Sequence, residues 1–148
     1  MSVRLSGPPP GARGSHRLDR RALRARAERI LREVGHARSE LSIALVDDDA
    51  MASLNEGYRG VARPTDVLAF SLLEGEGARH RGKLLGDVVI GIETAARQAA
   101  ERHRALRDEL LRLLIHGVLH LLGYDHEEDD EARVMRREER RLWRAVRP

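Results

Sequence analysis

The stretch "LRDELLRLLIHGVLHLL", Leu106 to Leu122, is among the most apolar runs of this chain. Its first two turns mix charged and apolar residues with the spacing of an amphipathic helix, whereas its second half is apolar nearly all round. A helix that is apolar on every side is buried in the middle of a domain. The stretch therefore predicts a central helix around which the remaining elements pack.

Four further helices are predicted from apolar residues that recur at helical spacing. The first is capped by Asp19 and ends at Gly35, and the second begins at the carboxylate triplet Asp47 to Asp49. An Ala-rich segment, residues 93–103, and a charged segment, residues 127–146, predict the other two. The residues predicted to face inward are Leu23, Ala27, Ile30, Leu31 and Val34 in the first helix, Met51, Leu54 and Tyr58 in the second, and Met135, Leu142, Trp143 and Val146 in the last.

Short apolar or alternating segments predict strands over residues 2–5, 41–45, 65–70 and 84–91. A Gly-rich, charged loop separates the last two. Together the elements predict an α+β fold in which a small mixed β-sheet is packed with about five helices. We expect one domain over residues 1–148, with the Pro- and Gly-rich residues 1–16 as a flexible lead-in.

The amino-acid composition limits the kinds of metal site, the cellular location and the partners that can be expected. The chain has no cysteine, so any metal must be held by His, Asp or Glu. It has neither an apolar run of about 20 residues nor the apolar core of a secretory signal, which favours a soluble cytoplasmic protein. Residues 1–38 carry ten Arg and three acidic residues. This asymmetry permits an acidic partner such as nucleic acid, although solvated helix faces explain the same charges.

Three of the seven histidines lie in the central helix and in the turn that follows it. His116 and His120 are four residues apart, so both imidazoles leave the same face of the helix one turn apart. Gly123 allows the left-handed backbone that ends a helix, and the returning chain brings His126 toward the same point. Three neutral imidazoles suit Zn²⁺ and leave its fourth tetrahedral position for water or substrate. The remaining histidines, predicted to be surface residues, are His16, His36, His80 and His103.

The spacing His-x3-His-x2-Gly-x2-His also occurs in the metzincin proteases, where glutamate follows the first histidine as the general base. Here Gly117 occupies that place, so the usual peptidase mechanism is unsupported. A lone histidine on an apolar helix is ordinarily a hydrogen-bonded core residue, but the combined spacing favours a metal site. Asp125 is the nearest candidate for a fourth ligand. It is better explained as a carboxylate that hydrogen-bonds to a metal-ligating histidine, or as a residue that forms the turn.

The segment "HGVLHLLGYDH", residues 116–126, resembles the signature of the YbeY family of bacterial endoribonucleases and rRNA maturation factors at every fixed position. The blocks "LNEGYRGVARPTDVLAF", residues 54–70, and "LGDVVI", residues 85–90, resemble that family in order and spacing. The likeness runs from Leu41 to the last helix, while residues 1–38 match only in general character. Where the family commonly has Lys and Asp, this chain has Val61, Ala62 and Arg63, and Arg63 replaces the lost positive charge.

The resemblance implies that His116, His120 and His126 hold one Zn²⁺ per chain, with His116 and Arg59 as catalytic residues. A guanidinium stays charged and offers a fork of donors, which suits the developing charge on a phosphodiester. Without the resemblance, Arg59 is explained as a solvated residue at a helix end. Further candidates for supporting or substrate-groove positions are Asp125, Asp87, Asn55 and Arg63.

The resemblance implies a zinc-dependent, single-strand-specific endoribonuclease involved in 16S rRNA 3'-end maturation and in ribosome assembly and quality control. Its implied partners are single-stranded and ribosomal RNA, the small ribosomal subunit and assembly factors. Two alternatives stay open. One is a non-catalytic ribosome-assembly factor with a structural zinc, because only four aromatic residues of the Phe, Tyr and Trp type are available to stack on bases. The other is a zinc-dependent hydrolase of another substrate class, such as a protease.

Overall fold

A four-stranded mixed sheet forms one layer of the fold. The computed structural model of the chain describes residues 3–71 and 84–147. Its strands are β1 (Val3–Ser6), β2 (Glu40–Val46), β3 (Val67–Ser71) and β4 (Leu84–Gly91). They lie in the order β1-β2-β4-β3, in which β1, β2 and β4 run parallel and β3 is antiparallel to β4. The predicted loop between β3 and β4, including His80, lies outside the described residues.

The helices are α1 (Arg20–Glu33), α2 (Asp48–Arg59), α3 (Ile92–Glu101), α4 (Leu106–Leu121) and α5 (Asp129–Val146). The carboxylates of Asp19 and Asp47 cap α1 and α2 as predicted, because they accept hydrogen bonds from the backbone N–H groups of Ala22 and Ala50. Five helices on a small mixed sheet confirm the predicted α+β class. None of the described helices has the length and apolar content needed to cross a bilayer.

The central position predicted for α4 is confirmed. Its apolar side chains are buried between the sheet, which it contacts at β3 and β4, and the helices α1, α3 and α5. At Gly117 the helix comes so close to the sheet that an added Cβ would lie 2.8 Å from Val88 Cγ1. Since real Cβ atoms essentially never approach another carbon this closely, glycine at 117 is required by packing.

The predicted inward face of α2 is partly wrong. Met51 is fully buried against Leu68, but Leu54 and Tyr58 are 39% and 59% exposed. The helix meets the sheet through Met51, and Asn55 one turn later is buried in place of the next apolar residue. Tyr58 touches Phe70 only through a ring edge, with the ring centroids 4.6 Å apart. This leaves the last turn of α2 open to solvent.

Candidate metal centre and its cleft

Three histidine side chains converge at the C-terminal end of α4. One nitrogen of each of His116, His120 and His126 lies within 4.8 Å of those of the other two. The Nε2 atoms of His116 and His120 are 3.1 Å apart, and the ring of His126 lies 5.3 Å from that of His120 between centroids. Three imidazole nitrogens that face one point form a set of donors for a single metal ion.

The turn after α4 brings the third histidine into place. Gly123 adopts a φ of 94°, in the left-handed region that favours glycine. Its N–H donates to the carbonyl of His120, and the N–H of Tyr124 donates back to the carbonyl of Leu119. Asp125 Oδ1 then accepts the N–H of His126 at 2.7 Å. These hydrogen bonds reverse the chain and set the backbone of His126 without any contribution from its imidazole.

The electrostatics of the cluster favour the neutral form of His120. Burial lowers the pKa of His120, and the neighbouring His116 and His126 lower it further. A neutral ring keeps a lone pair for a metal at physiological pH. His116 and His120 are half-buried whereas His126 is exposed, so the cluster opens toward solvent on one side. The donor set therefore fits Zn²⁺ with three protein ligands and one open position.

Glu139 supports the cluster, and sequence reasoning missed it. His116 lies on α4 and Glu139 lies on the neighbouring helix α5. The distance from His116 Nδ1 to Glu139 Oε2 is 3.1 Å. With Nε2 directed at the metal position, Nδ1–H donates to this carboxylate, which fixes the tautomer and orientation of the ring. The hydrogen bond from His116 lowers the pKa of Glu139 in spite of its burial. One sequence feature could have indicated Glu139. It is a carboxylate that falls within the apolar stripe of α5, between Met135 and Leu142.

Glu139→Gln is expected to weaken zinc binding about 10- to 100-fold, because the neutral amide no longer polarises the ring of His116. A competition titration with a chromophoric chelator at fixed pH measures this affinity. Glu138→Gln removes the same charge from the neighbouring position, which pairs with Arg141 and does not contact a histidine, and serves as the control. Equal zinc affinities in the two variants would show that Glu139 does not orient the ligand.

Arg59 and the histidine cluster line one cleft of about 570 Å³. Arg59 is exposed at the last turn of α2, and Gly60, with a φ of 75°, ends that helix. Arg112 of α4 lines the same cleft and donates to Glu109 at 2.7 Å. Arg112 is thus already paired, whereas no salt bridge joins Arg59 to any part of the chain that the structure describes. Among the described residues that line this cleft, Arg59 is the arginine left without a salt bridge, and its guanidinium can therefore meet an anionic ligand.

Three other predicted site residues, Asn55, Arg63 and Asp87, are not among the described residues that line the cleft. Asn55 is buried, and its side-chain amide donates to the carbonyl of Arg63 at 2.9 Å, which ties down the loop after α2. Arg63 is exposed, and neither residue lines the cleft within the described ranges. Asp87 pairs with Phe70 in the register of β4 and β3. Since Val88 faces Gly117, the alternation of the strand directs Asp87 to the other side of the sheet from α4.

The geometry also explains why the protease-like glutamate is missing. A side chain at position 117 would point into the sheet, where Val88 and Val67 already lie within contact distance of an added Cβ. A glutamate there could be accommodated only by separating α4 from β4. Position 117 therefore serves the packing of the helix, and it provides no general base beside the histidines.

Comparisons with known proteins agree with these features. Residues 12–147 match the family model described as endoribonuclease YbeY. The chain is 49% identical over 145 residues to an endoribonuclease YbeY of Anaeromyxobacter sp. (strain Fw109-5), covering 98% of this chain and 72% of that protein. It is 48% identical over 146 residues to one from Anaeromyxobacter dehalogenans (strain 2CP-C), with the same two coverages. A solution structure of a Thermotoga maritima protein superposes with a TM-score of 0.67 at 31% identity, covering 97% of this chain and 88% of that one.

Proposed function

The chain belongs to the endoribonuclease YbeY family, and from this premise we propose that it is a zinc-dependent endoribonuclease that cuts single-stranded RNA. The observation that carries the proposal is the shared cleft, in which three converging histidine nitrogens face the same space as Arg59, a residue that forms no salt bridge with the described part of the chain. A phosphodiester carries the negative charge that both features would bind.

Each residue has a distinct task in this proposal. His116, His120 and His126 would hold Zn²⁺, and Glu139 keeps the ring of His116 in the orientation that this requires. When bound, zinc supplies Lewis acidity toward a phosphoryl oxygen and lowers the pKa of water to about 7. Arg59 would bind the phosphate and stabilise the charge that develops on phosphorus. Its position on an exposed helix end lets it reach the substrate without first losing an ion pair to any described residue.

The wider role follows from family resemblance. We propose that the substrate is ribosomal RNA during 16S rRNA 3'-end maturation, with the small ribosomal subunit and assembly factors as partners in the cytoplasm. We also propose that the described residues act as one domain, which is supported by the hydrophobic cluster that joins the sheet with α1, α4 and α5.

The test is cleavage of labelled single-stranded RNA by zinc-loaded protein and by an Arg59→Ala variant that retains its zinc. The variant is expected to cleave about 100- to 1,000-fold more slowly, the usual cost of removing one donor to a developing oxyanion. Arg38→Ala is the control, because Arg38 is an exposed arginine that does not line the cleft.

Three results would contradict this assignment. Equal cleavage by wild type and Arg59→Ala would remove Arg59 from the chemistry. Equal loss in Arg59→Ala and Arg38→Ala would indicate a general charge effect. No cleavage by any zinc-loaded preparation would favour a non-catalytic assembly factor.

A further inference from the structure

A second groove runs between α4 and α5, beside the histidine cleft. It has a volume of about 550 Å³ and is lined on the α5 side by Arg136, Glu139, Arg140, Trp143 and Arg144. Arg136, Arg140 and Arg144 are spaced four residues apart, so they lie on one face of α5 and span about 12 Å of its length. The groove thus presents a row of guanidinium groups rather than a single charge.

Within the described residues, the arginines of this row form no salt bridge, although the carboxylates of Asp108 and Glu139 also line the groove. All three arginines are exposed, and no salt bridge joins them to any residue of 3–71 or 84–147. The arginines on the α4 side differ, because Arg104 and Arg112 both pair with the buried Glu109. Unpaired, adjacent guanidinium groups attract a ligand with several negative charges at regular spacing, as a nucleic-acid backbone has.

Trp143 adds an aromatic surface to the groove. It is the only tryptophan of the chain, and it is half-buried because it packs against the hydrophobic core while it lines the groove beside Arg140 and Arg144. Aromatic side chains beside a basic track are the means by which proteins hold single-stranded nucleic acids, because each base can stack on them. An acidic peptide would use the arginines but has no bases to stack.

The groove adjoins the histidine cleft. Arg112 lines both cavities, and Glu139 lines the groove while holding His116 in the cleft. We propose that the α4–α5 groove binds the single-stranded RNA that flanks the scissile phosphate, with Arg140 and Arg144 on its phosphates and Trp143 against a base. The inference rests on the proposed nuclease function and adds to it a site that selects longer strands.

The test uses zinc-loaded full-length protein with Arg140→Gln and Arg144→Gln combined. Its matched control combines Arg29→Gln and Arg32→Gln, two exposed arginines on neighbouring turns of α1 outside both cavities. Cleavage is measured with single-stranded RNAs of about 4 and about 16 nucleotides, the range of site sizes in single-strand-binding folds. Stopped-flow tryptophan fluorescence follows binding before cleavage and reports on Trp143 alone.

The expected result separates binding from chemistry. The groove variant should show about a tenfold higher KM for the long RNA, with kcat unchanged and no effect on the short RNA. A plot of log kcat/KM against log salt concentration has a negative slope. The magnitude of this slope should be smaller by about 1.4 in the groove variant, because two phosphate contacts are lost. The long RNA should quench the fluorescence of Trp143 in the wild type, and the control variant should behave like the wild type.

Other results would overturn the proposal. They are an equal rise of KM in the control variant, no rise in the groove variant, or unchanged Trp143 fluorescence at saturating long RNA. Equally tight binding of poly-glutamate, lost in the groove variant, would assign the groove to acidic protein segments instead. Cleavage of the short RNA tests the nuclease function separately, because the groove variant is expected to cleave this RNA as the wild type does. If the wild type cleaves neither RNA, the function itself fails.

Discussion

Replacing His120 by alanine is expected to leave the protein folded and to reduce RNA cleavage about a thousandfold. Two imidazoles bind zinc far more weakly than three, and a metal contributes several kcal/mol to stabilising a phosphoryl transition state. About 4 kcal/mol corresponds to a thousandfold change in rate. His120 is half-buried, and the turn after α4 is closed by backbone hydrogen bonds, so the fold does not depend on its ring.

The measurement combines zinc content by mass spectrometry, far-UV circular dichroism and cleavage of labelled single-stranded RNA. His16→Ala is the control, because His16 is exposed and far along the chain from the cluster. If His120→Ala kept both its zinc and its activity, the proposed metal centre would be wrong. If removing zinc from the wild type unfolded the protein, the histidines would serve the fold instead, as a non-catalytic factor requires.

Glu109→Gln is expected to lower the free energy of unfolding by about 3 kcal/mol, the lower end of the cost of breaking a buried ion pair. Glu109 is fully buried on α4, and its carboxylate accepts from Arg112 at 2.7 Å, Arg102 at 3.2 Å and Arg104 at 3.3 Å. The lower end applies because the three guanidinium groups are each 32% to 48% exposed, so water can solvate them once the carboxylate is gone. The melting temperature should fall by roughly 6 to 12 °C.

The same carboxylate predicts how stability depends on pH. Burial raises the pKa of Glu109, but the hydrogen bond from Arg112 and the charges of Arg112, Arg102 and Arg104 outweigh it and bring the pKa below its usual 4.5. A carboxyl group whose pKa is lower in the folded state stabilises the protein above pH 4.5, and this contribution is lost as the pH falls further. The difference between wild type and Glu109→Gln should therefore be constant near pH 7 and shrink below pH 4.5.

Urea denaturation across this pH range measures both effects. Glu101→Gln on the exposed end of α3 removes the same charge and should change the unfolding free energy by less than about 0.5 kcal/mol. A Glu109→Gln variant as stable as Glu101→Gln would show that the ion cluster does not hold α3 to α4. A stability difference that persisted unchanged below pH 4.5 would show that the carboxylate is not ionised in the folded protein.

The secondary structure and the histidine cluster could both be predicted from the amino-acid sequence, because both depend on local spacing. Helical periodicity alone locates α4 and buries it, and it also places His116 and His120 on one face. Gly123 then supplies the left-handed residue that returns the chain toward the same point. Each of these inferences involves residues within about five helical turns of one another, over which backbone geometry leaves few alternatives.

The partners of the cluster were decided only by the tertiary structure. Glu139 is 23 residues from His116 along the chain, and its contact depends on how α5 packs on α4. Local spacing likewise cannot show that the end of α2 brings Arg59 to the cleft, or that Gly117 faces Val88. The burial of Leu54 and Tyr58 was predicted wrongly for the same reason. An amphipathic pattern identifies an apolar face, but the extent of the neighbouring surface decides how much of that face is covered.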